Sequence, residues 1–79
     1  HYLMQPFHAL TLALESEERA ERFFGQIAAA ATTEPVREAA LVLQEEEREH
    51  VELIRAWLAK TPKPDRNWAD DPDPPRYTD

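Results

Sequence analysis

An all-α fold follows from three features of this sequence. Two helix-forming stretches have similar lengths, a short polar break separates them, and apolar residues recur in both at the helical period. The expected architecture is an antiparallel two-helix hairpin that pairs with another hairpin into a four-helix bundle. A hairpin over residues 1–60 and a Pro/Asp-rich tail over residues 61–79 account for the whole chain of 79 residues.

The first stretch runs from Pro6 to about Ala31 and is rich in Ala, Leu, Glu and Arg, all good helix formers. Pro6 stands at its front, where a missing N–H has no helical partner to lose. Gly25 is a mild penalty inside it. Thr32-Thr33-Glu34 forms the break and offers capping side chains. The second stretch runs from Pro35 to about Lys60, and Pro62 and Pro64 stop it. Beyond it, the tail is expected to be irregular and held against the bundle or a partner by Trp68 and Tyr77.

Two helices of about 26 residues share one seam and little core. A chain this short usually needs disulfides, metal or oligomerisation to be stable. There is no Cys, so metal or a partner is implied before any motif is considered. The net charge of −7 argues against nucleic-acid binding, which needs a basic stripe. No apolar run approaches the roughly 18 residues of a membrane span, and no signal peptide is visible, so a cytoplasmic location is the default expectation.

Residues at about 100° per position define one apolar face on each stretch. Leu10, Ala13, Leu14, Ala20, Phe24, Ala28 and Ala31 form the first, with Glu17 in its middle. Val36, Ala40, Leu43, Val51, Ile54 and Leu58 form the second, with Glu47 and His50 in its middle. Trp57 is expected to pack in the seam, and Leu12, Phe23 and Leu53 to form an adjoining strip for bundle or oligomer packing. His8, near a helix start, reads as a surface or packing residue.

A buried carboxylate without a partner costs several kcal/mol or about that order. Glu17 and Glu47 are 30 residues apart and equidistant from residue 32, the expected turn. Both therefore lie roughly 22 Å from the turn, at one height. His50 follows Glu47 by three residues on the same face. The three are candidate metal ligands, and Glu21 and Glu46 are candidate additional ones. The competing reading is a polar edge neutralised by Arg37, Arg48 or Arg55. Paired with a second hairpin, the set becomes four Glu and two His, the ligand set of di-iron and di-manganese carboxylate bundles. Oxygen and nitrogen donors suit iron or manganese and admit zinc.

The run ALESEERAERFF from Ala13 to Phe24 resembles the first-helix pattern of the rubrerythrin branch of the ferritin-like superfamily. There a ligand Glu precedes an aromatic pair by six residues. The run EEEREH from Glu45 to His50 resembles that branch's Glu-Glu-x-x-His pattern. The resemblance covers roughly residues 6–60. It implies Glu17, Glu47 and His50 as ligands, two iron ions per paired-hairpin site, and ferroxidase or peroxide-reducing oxidoreductase activity. It also implies either a homo-oligomer built from a second copy of the hairpin or the second half of a two-hairpin chain. Encapsulated ferritins are similar, since they build their site between two identical two-helix protomers. The alternative function is a metal-stabilised helical assembly module without turnover.

Overall fold

The computed structural model describes residues 5–64 of the chain. Two α-helices pack antiparallel: α1 spans Pro6–Ala30 and α2 spans Glu34–Lys60. No helix among the described residues is long and apolar enough to cross a membrane. The expected anchors of the tail, Trp68 and Tyr77, lie outside the described residues.

Each helix begins at a proline in its first turn. The expected end of α1 at Ala31 falls one residue earlier, because Ala31 turns to an extended conformation (ψ 137°) and its N–H donates to the Ala28 carbonyl at 3.4 Å. Thr33 stands at the N-cap of α2, also extended, but its side chain makes no capping hydrogen bond within the described residues. Arg37 ties the turn from the other side. One guanidinium nitrogen donates to Glu34 Oε1 at 3.3 Å, and the other to the Ala31 carbonyl at 3.4 Å. The second bond places a cation at the C-terminal end of α1, where the helix dipole favours positive charge. Thr61 closes α2: its hydroxyl donates to the Trp57 carbonyl at 2.7 Å, and Pro62 follows.

The helices approach closely at Gly25. A Cβ there would stand 2.5 Å from Gln44 Nε2, which donates to the Glu21 backbone carbonyl at 3.3 Å. This side chain-to-backbone bond fixes the height of one helix against the other.

The shared core is small. Among the described residues only Ala28, Ala40, Val51 and Ile54 are buried. Leu12, Phe23, Val36, Leu41, Val42, Leu43, Leu53 and Trp57 are each at least 41% exposed. Val36, Leu43 and Trp57, expected in the seam, are therefore outside it. A seam between only two helices covers a narrow arc of each, and the apolar arc of α2 is wider than α1 can cover.

The two flanks of the seam differ in character. On one, Arg55 reaches Glu18 at 2.7 Å, and Arg48 reaches Glu21 at 3.2 Å and Glu45 at 2.7 Å. These pairs are half-exposed, so solvent screens them and each contributes little to stability; their use is mainly to set register. On the other flank Phe24, Ile27, Pro35, Val36, Ala39 and Leu43 line an open apolar groove of about 290 Å³. The hairpin thus has a charged, self-satisfied side and an apolar side with nothing on it among the described residues.

Candidate metal centre

Glu47 is the central residue of α2, and Glu17 stands one residue from the centre of α1. Equal distances from the turn bring them to one level, and His50 joins them from the next turn of α2. The three donor atoms, one per residue, all lie within 4.8 Å of one another. His50 presents Nδ1 to both acids, at 3.3 Å from Glu47 Oε1 and 3.5 Å from Glu17 Oε1.

The cluster sits at the rim of the seam, not at its centre. Relative exposures of the side chains are 20% for Glu47, 31% for Glu17 and 55% for His50. The expectation of a buried ligand set is corrected to a half-buried one. Among the described residues no neighbour covers the outer side. That outer side continues into the apolar groove, since Phe24 follows Glu17 by seven residues and Leu43 precedes His50 by seven, in each case along one stripe of a helix.

No Arg or Lys among the described residues forms an ion pair with Glu17 or Glu47. Arg37 is engaged by Glu34, Arg48 by Glu21 and Glu45, and Arg55 by Glu18 and Glu52. The competing reading, a polar edge neutralised by these arginines, is not what the structure contains.

The electrostatics follow from that lack of cations. The Glu47 carboxyl is pushed above its ordinary range, first by a hydrogen bond with Glu17 that requires a shared proton. Partial burial and the Glu17 charge add to this, and His50 opposes it. His50 is also raised, chiefly by its bond to Glu47; burial opposes this, and the Glu17 bond and the two carboxylate charges add to the rise. Both shifts have one meaning: the cluster attracts positive charge, and protons supply it when nothing else does.

The donor set fits a divalent ion. Donors about 2.0–2.2 Å from a common ion lie up to roughly 4.4 Å apart. The spread of 4.8 Å among the three donors is close to that limit. Two carboxylates neutralise one divalent charge, and a neutral imidazole adds a third ligand without repulsion. Three ligands leave the remaining coordination positions open toward the uncovered side.

Glu21 and Glu46 are not part of the cluster. The Glu21 carboxylate is held by Arg48 on the opposite flank, and Glu46 is exposed. Angular proximity to Glu17 suggested Glu21, but the side of the seam decides which partner it meets. The sequence reading missed the cross-helix bonds of Gln44, Arg48 and Arg55. The signal for the arginines was there: Arg48 and Arg55 are seven residues apart on one stripe, facing Glu21 and Glu18.

Comparison with models of known families, with curated proteins and with solved structures finds no match to this chain.

Proposed function

We propose that the chain is half of a ferritin-like, rubrerythrin-type carboxylate centre. In this reading two metal ions lie between paired hairpins, and the function is ferroxidase or peroxide-reducing chemistry. The observation that carries the reading is the Glu17/Glu47/His50 cluster itself: two acids and an imidazole converge at mid-height of the hairpin, and no Arg or Lys among the described residues forms an ion pair with the acids.

Glu17 and Glu47 would hold and neutralise the ions, and His50 would ligate through Nδ1, the nitrogen already turned toward both acids. Iron, when bound, supplies one-electron chemistry with dioxygen or peroxide as acceptor; manganese and zinc fit the same donors. The chain's own residues set everything else. Gln44 and the arginine pairs fix the helix register that keeps the two acids level. The apolar stripe beside the cluster excludes water once a second hairpin covers it, which strengthens each charge–metal contact. That second hairpin, from another copy or another part of a longer chain, supplies the remaining ligands. The four-helix bundle and the homo-oligomer belong to this proposal.

The test is oxygen-dependent oxidation of added Fe(II), followed by absorbance, for the natural sequence and Glu47→Ala. The proposal expects oxidation well above the buffer rate, lost in Glu47→Ala. Equal rates in both proteins would overturn it as an enzyme. A second reading would then stand, a metal-stabilised assembly module without turnover. It is favoured by the small core, only four buried residues among those described, which leaves room for metal binding to contribute to folding stability.

A further inference from the structure

We infer that copies of this chain associate head to tail, the outer face of α1 on one copy against the outer face of α2 on the next. The contact uses neither the seam nor the Glu17/Glu47/His50 cluster, so it is independent of the metal reading.

The first observation is a pair of large apolar side chains on the back of each helix. On α1, Leu12 and Phe23 lie roughly 160° and 140° around the helix from Ala28, which is buried in the seam. On α2, Val42 lies roughly 160° from buried Ala40, and Leu53 roughly 160° from buried Val51. All four are exposed, Phe23, Val42 and Leu53 by more than half. They therefore face away from the seam on opposite sides of the hairpin, where the other helix of the same copy cannot reach them.

The second observation is that the two faces match in spacing and oppose in charge. Leu12, Arg19 and Phe23 follow one another at intervals of seven and four residues, and Val42, Glu49 and Leu53 do the same. Eleven residues come close to three full turns, so each triplet lines one stripe about 16 Å long. Laid parallel, the stripes set Leu12 on Val42, Arg19 on Glu49 and Phe23 on Leu53. Arg19 and Glu49 are both exposed, and neither forms an ion pair among the described residues. Arg22 adds a second cation near the α1 stripe, with Glu15 the acid beside it; Glu38 and Glu46 flank the α2 stripe. Complementary charge of this kind selects the partner and the register of a contact.

Charge also fixes the type of contact. Two α1 stripes together would oppose arginine to arginine, and two α2 stripes would oppose carboxylate to carboxylate. Only α1 on α2 pairs unlike charges, and that contact is heterologous. Each added copy leaves one α1 face and one α2 face unused at the ends, so growth does not stop at two chains. Within a copy the helices run antiparallel, so the parallel register inverts each copy relative to the last. A repeat of that kind extends as an open chain. One helix face is a small contact, of the weak and transient class, so the association is read from a concentration series.

The experiment is sedimentation velocity on the 79-residue chain over a series of protein concentrations, all in EDTA. The proteins are the natural sequence, Phe23→Glu, Leu53→Glu, and the chain carrying both substitutions. Both side chains are exposed away from the seam, so the hairpin should keep its helicity, which circular dichroism checks. The doubly substituted chain gives the baseline mass, which includes any association through the open face. The natural sequence should climb above it with concentration, past two chains. Each single variant should stay at the baseline, since one of its two faces is blocked. An equimolar mixture of the two should rise above it, because each supplies the face that the other lacks. In a further pair, Arg19→Glu should weaken association and Glu49→Arg in the same chain should restore it. A natural sequence that does not climb overturns the inference. So does a mixture that stays at the baseline, or a single variant that climbs as the natural sequence does. Because every run is free of metal, none of these results bears on the metal reading.

Discussion

Replacing Glu17 by Gln should have opposite effects on stability with and without metal. The two carboxylates of Glu17 and Glu47 offer ligand atoms within 4.8 Å of each other, and no Arg or Lys among the described residues forms an ion pair with either. At that separation two unit charges repel by about 0.9 kcal/mol in water and about 3.5 kcal/mol at an effective dielectric constant of 20. With side-chain exposures of 31% and 20% the value belongs toward the lower end, about 1 kcal/mol. Gln keeps the shape, accepts and donates hydrogen bonds, and removes the charge. In EDTA, Glu17→Gln should therefore raise the melting temperature, by roughly 4–8 °C for a domain of this size. With Mn(II) at a hundred times its dissociation constant the natural sequence gains about 2.7 kcal/mol, and the variant, short of one anionic ligand, gains less. The assay is thermal unfolding by circular dichroism at fixed protein concentration, four curves in all. The order of the two proteins should invert between EDTA and Mn(II). If Glu17→Gln melts lower in EDTA, the two acids are not in net repulsion and the electrostatic account is wrong.

Three further outcomes are expected. Gly25→Ala gains about 1 kcal/mol of helix propensity but drives a Cβ against Gln44 Nε2, so the Gln44 bond to the Glu21 carbonyl is lost at about 1 kcal/mol; urea unfolding should show a near-neutral variant, whereas Gln44→Ala should be destabilised by about that bond. The raised Glu47 and His50 groups both bind protons more tightly folded than unfolded, so in EDTA stability should fall as pH rises above the ordinary values of 4.5 and 6.5. Metal must displace those protons, so with Mn(II) stability should instead rise over the same range, and melting curves from pH 4.5 to 7.5 read both slopes. Arg55→Ala, at a half-exposed pair with Glu18, should leave the melting temperature nearly unchanged and leave metal affinity unchanged in a titration followed by calorimetry.

Much of the hairpin was legible because it rests on local chemistry. Proline at each helix front, the Thr32-Thr33 break and the Ala/Leu/Glu/Arg content place both helices to within one residue. The convergence of Glu17, Glu47 and His50 was legible for a different reason: in an antiparallel pair, equal distance from the turn fixes equal height. Depth was not legible. Angular position assigned Val36, Leu43 and Trp57 to the seam, yet they are half-exposed, because one partner helix shields only part of a wide apolar arc. The same limit made the cluster look buried when it lies at the rim. Glu21 shows what else periodicity lacks: it sits within one turn of Glu17, but the guanidinium of Arg48 holds it on the far flank. Thr33 has the right chemistry for a cap, yet Arg37 takes over the bonding at the turn.

The most direct measurement is the metal content of the chain after anaerobic loading with Fe(II) and removal of excess, for the natural sequence and for Glu47→Ala combined with His50→Ala. About one iron per chain, absent from the double variant, is the predicted result for a two-metal site shared between two hairpins. No iron in the natural sequence, or the same amount in both proteins, would contradict the assignment of Glu17, Glu47 and His50 as a metal site.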